Sequence, residues 1–332
     1  MLLDIIIPQY NEDETKIKRV LDSILNQRNV DFNLINVMIV NDCSDVILKD
    51  EFLVLYSKLN ICYIKNEKNT GPGLARQFGI DHTDLPYIMF LDADDELFNQ
   101  NVLENIISYL QKYEPKYLVT SIVIEKLLDD KIVRVVAKGK DTFPWMHGKV
   151  FKRSFLKENN LRFSPNVRHL EDSYFTTCVL GALGFQNISY LDMISYAWLL
   201  NKESLTRKKS THNYMVDTFY DYFNCPMYVY EYLCNINSNM RFPYFIQSSL
   251  AIYTVLNSNL FDFEDCIDLK NEYLLKLKER VLKKKNIFMM AKKETLERLY
   301  SEQIALLKNR NDLKKIYKNL TDFMSEMLNI RA

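Results

Sequence analysis

Short apolar runs alternate with helical patterns through the first hundred residues. Ile5 to Ile7 is one such run, and Val37 to Val40 is another. Between them Ile17, Val20, Leu21, Ile24 and Leu25 recur at i, i+3, i+4, i+7 and i+8, which is one apolar stripe on a helix. This spacing predicts a β-α-β unit, with Asn11 and Glu14 at capping-box spacing before the helix. A further strand is expected at Cys62 to Lys65, a helix from near Gly73, and a strand over Tyr87 to Leu91. Strands alternating with helices imply an α/β fold with a mostly parallel sheet, whose ligands bind at the carboxyl ends of the strands. Asp42 and Asp92 both stand at such ends.

From about residue 104 to 208 the pattern is mixed. Strands are expected at Tyr117 to Ile124 and Lys131 to Ala137, and helices at Arg153 to Glu158 and Asp172 to Leu183, extending the sheet and building the second wall of a cleft. The remainder differs in kind. All seven glycines lie at or before Gly184, and only Pro226 and Pro243 follow it, so residues 209 to 332 are expected to be helical. Leu296, Tyr300, Ile304 and Leu307 keep an apolar face there, which favours a homo-oligomer through these helices.

Composition narrows the classes. The 332 residues are 48% hydrophobic, enough to fill real cores. Lys and Arg number 43, as do Asp and Glu, so the overall balance does not point to nucleic acid. Residues 265 to 332 nevertheless hold 16 Lys and Arg against 10 Asp and Glu, a basic helical region suited to an anionic glycopolymer or, peripherally, to a membrane surface. The six cysteines are scattered without a CxxC pair, as expected for reduced thiols and against a zinc site. The opening MLLDIIIP has no basic n-region and its apolar stretch stops at Pro8, so no signal peptide is expected. No long uncharged apolar stretch suggests a transmembrane helix, and a cytoplasmic location is expected.

The chemistry concentrates in FLDADDELF, Phe90 to Phe98, where Asp92, Asp94 and Asp95 follow a buried strand. Acids there serve as a helix cap, a solvated loop or a site for a hard cation. Mg²⁺ or Mn²⁺ takes oxygen ligands, typically one or two carboxylates together with the phosphates of a substrate. The neighbouring segments favour the cation. IIIPQYNE (Ile5 to Glu12), MIVNDCSD (Met38 to Asp45) and NTGPGLARQFGI (Asn69 to Ile80) precede the acids. HGKVFKRSFL (His147 to Leu156), HLEDSYF (His169 to Phe175) and NKESLTR (Asn201 to Arg207) follow them. In this order and spacing the chain resembles the family 2 glycosyltransferases over roughly its first 210 residues. No single motif is decisive.

The resemblance implies a GT-A fold, with residues 1–104 as its nucleotide-sugar half, 105–208 as its acceptor half and 209–332 as a helical appendage. It implies that Pro8, Tyr10 and Glu12 border the nucleotide, that Asp42 accepts from the uracil imide, and that Asp92, Ala93 and Asp94 lie at the diphosphate of a UDP-sugar. Asp94, supported by Asp92, is the implied ligand of Mn²⁺ or Mg²⁺. Where the family usually has D-D-x-S, Asn41 replaces the first acid. Gly71 and Gly73 form a turn that also lets backbone approach a diphosphate, and Arg76 on the following helix can pair with phosphate or with the acidic cluster. Asp172 matches the family's catalytic base, while Glu171 and Asp172 together also suit the positive start of a helix. Trp145, His147 and Lys149 are candidates for an acceptor wall. Arg207 and His212, in a segment expected to close as a lid from Ser204, are candidates for a further contact to phosphate or metal. The implied activity is metal-dependent, inverting transfer of a sugar from a UDP-sugar to a hydroxyl. A sugar-phosphate nucleotidyltransferase and a sugar-nucleotide-binding or assembly module without turnover remain the alternatives.

Overall fold

The computed structural model describes residues 1–201, 212–259, 267–308, 316 and 318–329, with 212–219 and 306–308 described as helix backbone alone. The chain divides into two units, Met1–Lys208 and Lys209–Ala332.

The first unit begins as the alternation predicts, with β1 (Leu3–Gln9), α1 (Glu14–Leu25), β2 (Ile35–Asn41), α2 (Asp50–Val54), β3 (Ile61–Lys65), α3 (Pro72–His82) and β4 (Tyr87–Phe90). It continues through β5 (Glu96–Leu97), α4 (Val102–Tyr113), β6 (Tyr117–Leu128), β7 (Lys131–Ala137), β8 (Lys149–Lys152), α5 (Arg153–Glu158), α6 (Glu171–Leu183) and β9 (Ser189–Trp198). One sheet orders these strands β3-β2-β1-β4-β8-β6-β9-β5, with β7 paired to β6. The first four are parallel; β8 enters antiparallel to β4 and β6, and β9 runs parallel to β6. These directions bring the ends of β1, β2 and β4, the start of β8 and the end of β9 to one edge of the sheet. Pro8 is tolerated in β1 because its amide position faces β4, where pairing has already ended at Ile6↔Phe90.

Apolar residues of one face of β1, β2 and β4 pack with the α1 and α4 stripes into one core, with Ile5, Ile7, Val20, Leu21, Val37 and Ile106 fully buried; Ile6, Ile88 and Phe90 on the other face are buried as well. The start of α1 differs from expectation. Its N-cap is Asp13, which accepts from the Lys16 amide at 2.9 Å. Asn11 stands at a φ of 65° and instead accepts from Ser44 Oγ and the Asp45 amide. Two capping residues compete within one turn, and the one nearer the helix reaches its third amide.

The second unit is helical among its described residues: α7 (His212–Asn235), α8 (Arg241–Leu256), α9 (Ile267–Lys283), α10 (Lys285–Met289), α11 (Lys293–Lys308) and α12 (Leu320–Leu328), with one isolated bridge between Ser258 and Ile316. Its own core includes Phe245, Tyr253, Leu277, Phe288 and Phe323. Leu296, Tyr300 and Ile304 pack against that core, so their stripe is covered within the unit and does not by itself call for a second copy. The Leu307 side chain lies outside the described residues. No described helix is long and apolar enough to cross a membrane, and the five described cysteines are free thiols.

Arg280 on α9 is buried, and among the described residues none of its guanidinium nitrogens has a hydrogen-bond partner. It lies over the rings of Phe245 and Tyr230, at 5.1 and 5.8 Å, and burial pulls its pKa down to about 10. Burying a cation without a hydrogen bond costs more than two ring contacts and the pull of Glu231 return. Arg280→Met is therefore expected to raise stability by about 1 kcal/mol, seen as a higher urea midpoint at unchanged slope. A lower midpoint would mean that the ring contacts outweigh desolvation.

Candidate active site

Four loops and helix starts meet at the sheet edge. The loop after β1 is tied to the loop after β2: Gln9 Nε2 donates to the Val46 carbonyl at 3.1 Å, and the Asn11 amide to Ser44 Oγ at 2.8 Å. Asn41, at the variant motif position, is structural here. It donates to the Tyr63 hydroxyl at 2.6 Å and accepts from the Ser44 amide at 2.7 Å. Asp42 is 2% exposed, and its carboxylate accepts from Asn66 Nδ2, the Thr70 amide and hydroxyl, and the Gly71 amide. Four donors fill the capacity of a carboxylate. Asp42 thus shapes the turn into α3, where Gly71 adopts a φ of 84° that L side chains rarely take.

α3 carries the group that joins the site. Arg76 is 5% exposed; its Nη2 donates to Asp92 Oδ1 at 2.6 Å and its Nη1 to Glu171 Oε1 at 3.0 Å. Of the two partners open at the sequence level, phosphate or acidic cluster, the guanidinium takes the acids. Gly73 makes the approach possible, since a Cβ there would stand 2.8 Å from Glu171 Cβ and Cγ. Burial works against the charged form of Asp92, but Arg76 and then His147 outweigh it and hold the carboxyl well below the usual range.

The acidic turn is braced from the far side. Tyr196, on β9, accepts from the Asp92 amide at 3.2 Å and donates to Asp95 at 2.6 Å, while the Leu199 amide donates to the other Asp95 oxygen at 2.8 Å. Burial, then Asp94 and Asp92, push the Asp95 carboxyl up. Ala93 is buried beneath the turn. Asp94 is half-buried; its Oδ2 accepts from Asn201 at 2.7 Å and its carbonyl from Arg19 at 3.1 Å. Tyr10 is exposed on the rim, and its amide donates to Glu12 at 2.6 Å. Burial raises Glu12 to about 7, the Tyr10 amide opposing it and Asp94 adding to it.

β8 and its approach complete the wall. His147 Nε2 lies 3.3 Å from Asp92 Oδ2, and the ring stacks on Trp198 at 4.8 Å, with Trp145 edge-on to Trp198 at 5.8 Å. The fully buried Lys149 ammonium donates to the Thr142 carbonyl and hydroxyl and to the His147 carbonyl, and burial pulls its pKa down to about 7. Lys149 therefore holds the loop that presents His147, rather than lining an acceptor surface. Glu171 and Asp172 open α6. Burial and then Glu171 push the Asp172 carboxyl up, to about 7, against the pull of Arg76.

Asp92, Asp95 and His147 each offer a donor atom within 4.8 Å of the others. The two carboxylates suit Mn²⁺ or Mg²⁺, while the imidazole fits Mn²⁺, a transition metal, better than the oxygen-seeking Mg²⁺. Asp95 and His147 join Asp92 here, where the sequence points to Asp94 with Asp92. Asp95 was visible in the acidic run, whereas Tyr196 carries no signal beyond an aromatic residue in a strand. Arg207, the His212 side chain and the expected lid lie outside the described residues; His212 contributes the first residue of α7. A polar cavity of 410 Å³, lined by α1 and residues 96–100, opens elsewhere and includes neither Asp92 nor Asp172.

A sheet with nucleotide-type βα loops at one edge, acids at the end of β4 and an acidic helix start facing them define a sugar-nucleotide transferase architecture. Residues 4–172 match the family described as Glycosyl transferase family 2, about half of the chain, and the chain belongs to that family. Among curated proteins it is 43% identical over 114 residues to the teichoic acid poly(glycerol phosphate) polymerase of Staphylococcus epidermidis, covering 33% of this chain and 15% of that one. It is 24% identical over 218 residues to the poly(ribitol-phosphate) beta-N-acetylglucosaminyltransferase TarS of Staphylococcus aureus, covering 61% and 36%. The matched stretches thus span well under half the length of either relative. Crystal structures of S. aureus TarS 1–349 share the GT-A fold. The UDP complex aligns with a TM-score of 0.63 at 17% identity over 92% of this chain and 87% of that one, and the UDP-GlcNAc complex with 0.65 at 16% over 92% and 88%.

Arg76→Met leaves Asp92 and Glu171 facing each other without their cation. It is expected to destabilise the first unit by about 3 kcal/mol, read from urea denaturation followed by the fluorescence of Trp145 and Trp198.

Proposed function

We propose that this chain transfers a sugar from a UDP-sugar to a hydroxyl of an anionic glycopolymer, with inversion at the anomeric carbon. The observation that carries the reading is the Arg76 bridge, which sets the acids after β4 against the start of α6, where Asp172 stands beside Glu171. Family membership and the UDP and UDP-GlcNAc complexes of the TarS neighbours support the donor. The names of the curated relatives support a polyol-phosphate acceptor.

Tyr10 and Glu12 border the nucleotide, and the Thr70–Gly71 turn, held by Asp42, shapes the approach to α3. Asp92, with the Asp95 and His147 donors close to it and Asp94 in the same turn, would hold a divalent cation. When bound, it supplies charge neutralisation at the departing diphosphate. The acceptor hydroxyl loses its proton to Asp172 while its oxygen forms the new bond to the anomeric carbon and the bond to the diphosphate oxygen breaks, releasing UDP. A carboxyl near neutrality is a stronger base than an ordinary one. Trp145, His147 and Trp198 wall the acceptor side and limit the access of water to the donor.

Incubation with Mn²⁺, UDP-sugars and poly(ribitol phosphate) or poly(glycerol phosphate), with UDP release as readout, tests the reading. Asp172→Asn is expected to lower kcat by about 10²–10⁴ while UDP binding, measured by calorimetry, is kept. Asp94→Asn should weaken the Mn²⁺ dependence. UDP binding without turnover on either polymer would instead favour a binding module.

The base must be deprotonated to act. Because its pKa is raised to about 7, kcat/KM is expected to fall about tenfold per pH unit below that value and to level off above it. A limb near pH 4 would mean that burial and Glu171 do not raise the Asp172 carboxyl.

A further inference from the structure

Between α9 and α11 the chain turns a corner unlike the rest of its surface. Residues 281–293, VLKKKNIFMMAKK, contain five lysines and no acid. Ile287 and Phe288 point inward at 8% and 1% exposure, and Phe288 packs against Phe245 and Phe323 in the core of the second unit. Anchoring α10 by those two residues turns the next two outward. Met289 is 60% exposed and Met290 84%, the most exposed large hydrophobic side chain among the described residues. Lys283, Lys284, Lys292 and Lys293 are exposed beside them, and Lys285 is half-buried. Lys293 reaches Glu297 at a loose 3.9 Å; among the described residues the other four have no ion-pair partner.

The geometry is compact. α10 has five residues, about 7.5 Å of helix, so lysines from the end of α9 and the start of α11 flank the two methionines within one small area. Three occupants compete for such a surface. Solvent accounts for the lysines but leaves two adjacent methionines unexplained. A soluble polyanion pairs with ammonium groups but offers no apolar volume, and a second copy of the corner would bring five lysines against five. An anionic lipid bilayer supplies both halves: phosphate headgroups for the lysines and the acyl boundary for the methionines.

We infer that the α9–α11 corner, through Met289 and Met290 ringed by Lys283, Lys284, Lys285, Lys292 and Lys293, docks this protein on an anionic membrane surface. Docking stands apart from the proposed sugar transfer, because it is read without turnover.

The test is co-sedimentation of the full chain with vesicles of phosphatidylcholine alone and of an equal mixture of phosphatidylcholine and phosphatidylglycerol, at low and high salt. Binding is expected to the mixed vesicles and not the neutral ones, and to weaken with salt. Lys284→Gln with Lys292→Gln removes two charges and should lower the partition about 30-fold. Met289→Ser with Met290→Ser should lower it at least about tenfold, with circular dichroism confirming an intact fold. Binding to mixed vesicles that survives the serine pair overturns the inference in favour of a purely electrostatic polyanion surface. Absence of binding to either vesicle overturns it outright.

Discussion

The site depends on one guanidinium. Arg76 sits on α3 with almost no exposure, and its two outer nitrogens hold carboxylates from segments 79 residues apart in the chain, Asp92 after β4 and Glu171 at the start of α6. Arginine suits this position because its planar fork addresses two acceptors at once and stays charged when buried; a lysine would present a point charge to one of them. The approach also needs Gly73, one turn earlier on the same helix, because any side chain there would occupy the volume of the Glu171 stem. Removing either component would leave two carboxylates repelling each other across a poorly solvated gap.

A second set of contacts fixes what Arg76 does not reach. The Tyr196 hydroxyl accepts from the Asp92 backbone and donates to Asp95, so the turn between them is pinned from β9, a strand that arrives a hundred residues later. Lys149 does the equivalent for the loop before β8, gathering three oxygens from Thr142 and His147. That loop sets the His147 ring against Trp198 and near Asp92. The antiparallel entry of β8 is what makes this possible. It places the start of that strand, rather than its end, at the edge where β1, β2 and β4 finish.

The alternation of apolar runs and helical stripes was legible because it is local: β1, α1 and β2 follow from residues within one turn or one strand of each other. The acids after β4 and at the start of α6 were legible as chemistry for the same reason. What was not legible is pairing at long range. Asp42 carries the same sequence signal whatever its partners, and only the structure reveals the Thr70–Gly71 donors on its carboxylate. Asn11 and Asp13 both have capping chemistry, and the backbone φ of Asn11 decides between them. Lys149 gives no hint in sequence that three carbonyl and hydroxyl oxygens accept from its ammonium.

Asp92 and Asp172 lie on either side of the same cation with opposite outcomes. Asp92 bonds Arg76 directly and faces His147, so it remains ionised at any physiological pH. Asp172 feels Arg76 at one remove, through a guanidinium already committed to Glu171, and that neighbouring carboxylate adds to the cost of burial. One arrangement therefore holds one carboxyl firmly ionised and raises the proton affinity of a second toward neutrality. Pairing Glu171 rather than Asp172 with Arg76 is what keeps the two apart. Had Asp172 taken the guanidinium, it would have been held ionised as Asp92 is and would have been a weaker base.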